Sequence, residues 1–168
     1  WRSRGIIQHL NDIKPAVMVV GGLFDAEDLY GPFNTYRKIE ETSDNYNILV
    51  YGPWSHGDWA RSSERQAIGN VYFGDNLSRD FQQNYETVFF NHFLKNDGKG
   101  AIDFPEASMY DSGSREWDSY AQWPPKAAET KSFYLGADQK LTESASGDYE
   151  NAFVSDPSKP VPYSEDIK

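Results

Sequence analysis

The chain has 168 residues, enough for one domain or for two incomplete ones. Aromatic residues make up 15% of it, five of them tryptophan, which excludes a disordered tail. A net charge of −10 makes nucleic acid and anionic membrane poor partners, and the absence of cysteine excludes disulfides and thiolate metal sites.

In chain order, residues 1–13 carry Ile6, Ile7 and Leu10 and read as a short helix, with Pro15 beyond its end. Residues 17–20 are apolar and mostly β-branched and run into Gly21-Gly22, the pattern of a strand buried on both faces. A cluster of acids follows, Asp25, Glu27 and Asp28. Phe33, Tyr36 and Ile39 then give one apolar face to a helix over about residues 32–43, with Pro32 tolerated in its first turn. Residues 48–51 form a second apolar run, closed by Gly52-Pro53. Strand, helix and strand in so short a stretch predict a βαβ unit with parallel strands. Function in such sheets collects on the loops beyond the carboxyl ends of the strands. Those loops carry the acids after the first strand and His56 after the second.

Residues 57–75 are polar and turn-rich. Arg61 and Arg65 in this stretch read as surface cations paired with neighbouring acids. Trp54 and Trp59 flank the histidine; Trp54 reads as packing, and Trp59 as a candidate wall of a substrate pocket. Residues 77–94 are the clearest amphipathic helix, with Phe81, Tyr85, Val88, Phe89 and Phe93 at helical spacing and Ser78 as the expected N-cap. His9 and His92 read as structural histidines. Residues 96–100, Asn-Asp-Gly-Lys-Gly, are expected to end that helix. From residue 101 the texture changes to short β-like runs, at 107–110, 131–135 and 149–154, separated by turns.

An acid and a histidine on one sheet edge, in that chain order, match the back half of a serine–acid–histidine triad. Asp25 and His56 are 31 positions apart. By position alone Asp25, Glu27 and Asp28 all compete to face His56. Asp28, just ahead of the helix, is better placed as a helix cap, and Glu27 as a solvated side chain. The expectation is an Asp25 carboxylate about 2.6–3.2 Å from a ring nitrogen of His56.

Gly21-Gly22-Leu23-Phe24-Asp25 followed by Gly52-Pro53-Trp54-Ser55-His56 resembles the acid and histidine motifs of one group of serine hydrolases. That group joins X-Pro dipeptidyl-peptidases, cocaine-esterase-like enzymes and α-amino acid ester hydrolases, among them enzymes named glutaryl-7-aminocephalosporanic acid acylases. Residues 21–36 most resemble the α-amino acid ester hydrolase branch, and Asp156-Pro157 with Pro160-Val161-Pro162 extends the likeness into the second half. The resemblance implies Asp25 and His56 as catalytic acid and histidine, no cofactor or metal, and a small ester, amide or short peptide as substrate. It also implies secretion or a periplasmic location, which the sequence itself does not show; homo-oligomerisation stays open.

The implied architecture is α/β. Residues 1–100 are expected to be the C-terminal part of an α/β-hydrolase catalytic domain, and 101–168 the incomplete start of a jelly-roll β-sandwich. No Gly-x-Ser-x-Gly elbow occurs, and the chain starts at Trp1. It therefore reads as a C-terminal fragment whose nucleophile lies elsewhere, inactive alone. The competing reading is a β-sandwich binding module whose Tyr110, Trp117, Tyr120 and Trp123 line a carbohydrate groove.

Overall fold

The computed structural model describes residues 2–61, 64–95, 101–137, 140–145, 147, 150 and 152–160. The expected turn at 96–100, Tyr149 and the Val161-Pro162 pair lie outside them. The chain divides into two compact units, residues 1–126 and 127–165.

The first unit is built on strand β1 (Val17–Gly22), helix α1 (Tyr30–Thr42) and strand β2 (Asn47–Gly52). The two strands are parallel neighbours, in register from Val17 opposite Asn47 to Gly22 opposite Gly52, as the βαβ pattern predicts. All six residues of β2 are buried, which is why its sequence shows no alternation. On one face Val19, Leu49 and Tyr51 pack with Tyr36 and Phe33 of α1. On the other, Val50 packs with Trp54 and Phe81, and Met18 and Val20 close in around them. Leu49 is fully enclosed, so Leu49→Ala should destabilise this unit by about 2–5 kcal/mol.

Strand β3 (Arg65–Ile68) and strand β4 (Val71–Asp75) form an antiparallel hairpin in the stretch read as polar turns. Tyr110 fixes it from below, its hydroxyl donating to the Phe73 carbonyl at 2.7 Å. The long helix is present at 77–95, but in pieces: α2 (Leu77–Phe81) and α3 (Thr87–Phe90) alternate with π-helical turns over Gln82–Glu86 and Asn91–Lys95. Its N-cap is Asn76 in the left-handed region, not Ser78. Ser78 is wholly buried and its hydroxyl donates to Gln66 Oε1 at 3.2 Å, so tertiary burial claims the side chain expected to cap. The expected helix over 1–13 is reduced to two 3-10 turns, Arg2–Arg4 and Ile6–His9.

Strand β5 (Ala107–Asp111) joins the same sheet parallel to β2, with Leu49 opposite Ala107, and strand β6 (Glu116–Tyr120) runs back antiparallel to it. The sheet order is β1-β2-β5-β6. The expected domain boundary at 100/101 therefore falls inside the first unit, which continues to Lys126, because β5 takes its hydrogen bonds from β2. Of the four aromatics in the carbohydrate-groove reading, Tyr110 is buried and the Trp117 ring packs on Trp54 at 5.8 Å, so these two serve the core.

Among its described residues, the second unit forms one short hairpin, strand β7 (Tyr134–Leu135) with strand β8 (Leu141–Thr142). Of the run expected at 131–135 only the last two residues pair, and 152–154 take no strand conformation.

Candidate active site

The loops after β1 and β2 are stitched together before any side chain is considered. The Leu23 N–H donates to the Gly52 carbonyl at 2.8 Å, and the Phe24 N–H to the Trp54 carbonyl at 3.1 Å. This needs a glycine at position 22: a Cβ there would lie 2.2 Å from the Trp54 carbonyl oxygen. Trp54, fully buried against Trp59, Phe81 and Trp117, holds the second loop down, as its packing role predicts.

Asp25 and His56 meet across this seam. Asp25 Oδ2 lies 2.9 Å from His56 Nδ1, inside the expected range. The other oxygen, Oδ1, accepts from the backbone N–H groups of Glu27 at 2.8 Å and Asp28 at 3.1 Å. The competition between three acids is thereby resolved. Asp28 instead accepts from the Gly31 N–H at 2.5 Å in the first turn of α1, and Glu27 is exposed.

The electrostatics follow from this wiring. The Asp25 side chain is 3% exposed, and burial alone would raise its carboxyl. The two backbone donors and His56 outweigh burial and bring it below the ordinary aspartate value. The hydrogen bond and charge of Asp25, then the charge of Glu27, hold the His56 imidazole above its ordinary value, with burial and Arg61 opposing. The His56 side chain remains 54% exposed. With Nδ1 tied to Asp25, Nε2 has no hydrogen-bond partner among the described residues, so the ring can take a proton there while Asp25 stabilises the resulting cation.

Around the pair, Trp59 is half-buried, its ring edge-on to His56 at 6.5 Å and to Trp54 at 6.3 Å. It lines a cavity of about 310 Å3 with Met18, Val20 and Phe81. A cleft of about 400 Å3 over α1, between Tyr30, Phe33 and Trp123, includes neither Asp25 nor His56. Ser55, beside the histidine, donates its hydroxyl to Asp58. Arg61 pairs with Asp58 at 3.3 Å, while the Arg65 side chain is outside the described set. His92 is buried edge-on to Phe93, the structural role expected of it. Among the described residues no group of three or more His, Cys, Asp or Glu could hold a metal ion.

Two contributors escape the sequence reading. The Glu27 and Asp28 N–H groups carry no side-chain signature at all. Asp58 does: Ser55-x-x-Asp58 has the spacing of a reciprocal turn cap.

The model of the X-Pro dipeptidyl-peptidase (S15) family matches residues 1–58, the segment holding both loops. Two curated proteins, from Mycobacterium bovis and Mycobacterium tuberculosis, are 28% identical over 133 residues. Their names give them as serine esterases by unproven assignment. The match takes in 77% of this chain and 19% of each of theirs, so the chain spans about a fifth of those relatives. Among solved structures, an aminopeptidase from a marine sediment archaeon, Thaumarchaeota archaeon, superposes with a TM-score of 0.82 at 30% identity. It covers 96% of this chain and 27% of its own. An α-amino acid ester hydrolase superposes with a TM-score of 0.73 at 29% identity, covering 86% of this chain and 24% of its own. The acid and histidine loops, the parallel strands that carry them and these relatives agree, and together they support the family of X-Pro dipeptidyl-peptidases and ester hydrolases.

Proposed function

We propose that Asp25 and His56 are the acid and the general base of a serine hydrolase that cleaves small esters or amides through an acyl-enzyme. The 2.9 Å contact at the carboxyl ends of two neighbouring parallel strands carries this reading. His56 Nε2 takes the proton of an attacking serine hydroxyl as its oxygen bonds the substrate carbonyl. It returns that proton to the departing alcohol or amine, then deprotonates the water that frees the acid product. Asp25 keeps the proton on Nδ1 and stabilises the imidazolium; it does not itself become protonated. No Gly-x-Ser-x-Gly occurs in the sequence, and Ser55 is engaged by Asp58. The chain alone is therefore expected not to turn substrate over, and an active-site-directed phosphonate is expected not to label its serines at triad-like speed.

For substrate class, an acyl group bearing an α-ammonium suits the site best. Glu27 stands exposed, close enough for its charge to raise His56, and Asp25 is ionised beside it. The structural likeness to an α-amino acid ester hydrolase points the same way. An X-Pro dipeptidyl-peptidase, favoured by the family model, is the second reading. Turnover of α-amino acid esters, their des-amino counterparts and X-Pro dipeptide amides, by a protein that carries this chain together with a nucleophile elbow, separates the two. Preference for des-amino esters would refute the ammonium assignment, and faster cleavage of X-Pro amides would favour the peptidase.

A further inference from the structure

His56 is held by less than its role requires. Among the described residues its ring makes one hydrogen bond, to Asp25, and more than half of its side chain is exposed. A group kept by one bond stays in place only if its backbone is fixed, because a misplacement of about 1 Å can cost on the order of 100-fold in rate.

The backbone is fixed by a closed turn. Asp58 Oδ2 accepts from the Ser55 N–H at 3.2 Å and from the Ser55 hydroxyl, and the Asp58 N–H donates back to the Ser55 carbonyl at 3.2 Å. Asp58 Oδ1 accepts from Arg61 Nη1 at 3.3 Å, and the Arg61 N–H donates to the Asp58 carbonyl at 3.1 Å. An acid three residues on that reaches back to the N–H of a serine is one half of a capping box. Gly57, at φ 74°, supplies the left-handed residue that lets the chain turn inside it. His56 lies within this ring of bonds, between Ser55 and Gly57.

We infer that Asp58 is the positioning residue of the histidine loop, clasping Ser55 and Arg61 so that the His56 ring is presented to Asp25. The inference rests on the acid–base reading of Asp25 and His56 given above. Asp58 acts through geometry: the charged groups acting directly on the imidazole are Asp25, Glu27 and Arg61.

The test is an NMR titration of the imidazoles of this chain, with His9 and His92 as internal references. The His56 titration midpoint should lie above its ordinary value, with the neutral ring protonated at Nδ1. Asp58→Ala should bring the midpoint back toward about 6.5 and mix the tautomers. Asp58→Asn, whose amide oxygen can still accept from Ser55, should keep most of the upward shift. Both variants remove the same charge, so equal falls in the two would overturn the positioning role. Asp25→Asn separates the two readings. If it lowers the His56 midpoint while Asp58→Ala does not, the positioning inference fails and the pair stands; if it leaves the midpoint unmoved, the pairing itself fails. Should Asp58→Ala not fold, Ser55→Ala is read the same way: a lowered midpoint with the fold intact supports the clasp, and an unmoved one overturns it.

Discussion

At the carboxyl ends of β1 and β2, Asp25 is buried among two N–H donors and a histidine and is held below the ordinary carboxyl range. At the opposite ends of the same strands, Glu106 stands just before β5 and is half-buried beside Glu40 of α1. It accepts from the Tyr36 hydroxyl at 2.7 Å, and the neighbouring Glu40 carboxyl accepts from Asn47 Nδ2 at 2.7 Å. Burial first, then the charge of Glu40, raise Glu106, and the Tyr36 bond only partly offsets them. One sheet thus holds one carboxyl lowered and another raised. Burial raises both, so burial does not decide the direction; the donors and charges aimed at each carboxyl do.

The sharpest way to break this contrast is Asp25→Asn. In the protein that carries the nucleophile, turnover should fall by about 10,000-fold, because the amide would hold the imidazole in the wrong tautomer. Asp28→Asn should be largely tolerated, since asparagine can still accept the Gly31 N–H. Steady-state kinetics of the two variants settles this, and the reverse ranking would place the acid on the wrong residue. Next in size is Gly22→Ala, which must push the Trp54 carbonyl away and open the seam between the two loops. A loss of about 1–3 kcal/mol in denaturant unfolding is expected, the usual cost of overpacking, together with a lowered His56 titration midpoint.

The smallest effects are slopes of stability against pH, and here the two carboxyls should have opposite signs. Asp25 is lowered on folding, so its contribution is present above the unfolded value near 3.8 and is lost as pH falls through the folded one. Glu106 is raised, so what it contributes is present below about 4.5 and is lost as pH rises through its folded value. His56 is raised too, and its contribution fades as pH climbs above 6.5 through the folded value. Glu106→Gln, which can still accept from Tyr36 and donate to Glu40, should abolish the middle slope and leave the other two. Denaturant melts between about pH 3 and pH 8 would show it; an unchanged profile would mean that Glu106 is not raised on folding.

This contrast also explains what could be read from the chain. The upper end was legible because its parts are local: two apolar runs closed by Gly21-Gly22 and Gly52-Pro53, an acid after one and a histidine after the other. The lower end was not, since Glu40 and Glu106 are brought together only when β5 finds β2, and nothing near Ala107 announces that partner. For the same reason residues 107–120 read as part of a second domain. The β3–β4 hairpin was legible in principle: Gly69-Asn70 between Ile68 and Val71 is a two-residue turn signal, masked by the polar residues before it. The π-helical turns within 77–95 leave no mark on an apolar stripe whose spacing still serves either winding.

The registers of the parallel sheet carry a further consequence, for the order in which it assembles. Val19 meets Leu49 across 30 residues, whereas Leu49 meets Ala107 across 58. Nearly doubling the loop adds only about 0.6 kcal/mol of closure entropy, but that cost falls before the longer contact gives anything back. The β1-α1-β2 crossover unit should therefore form first, bringing Asp25 and His56 face to face while β5 and β6 are still unpaired. In pulsed hydrogen exchange during refolding, the amides of Val19, Gly21 and Val50 should gain protection ahead of those of Ser108 and Tyr110.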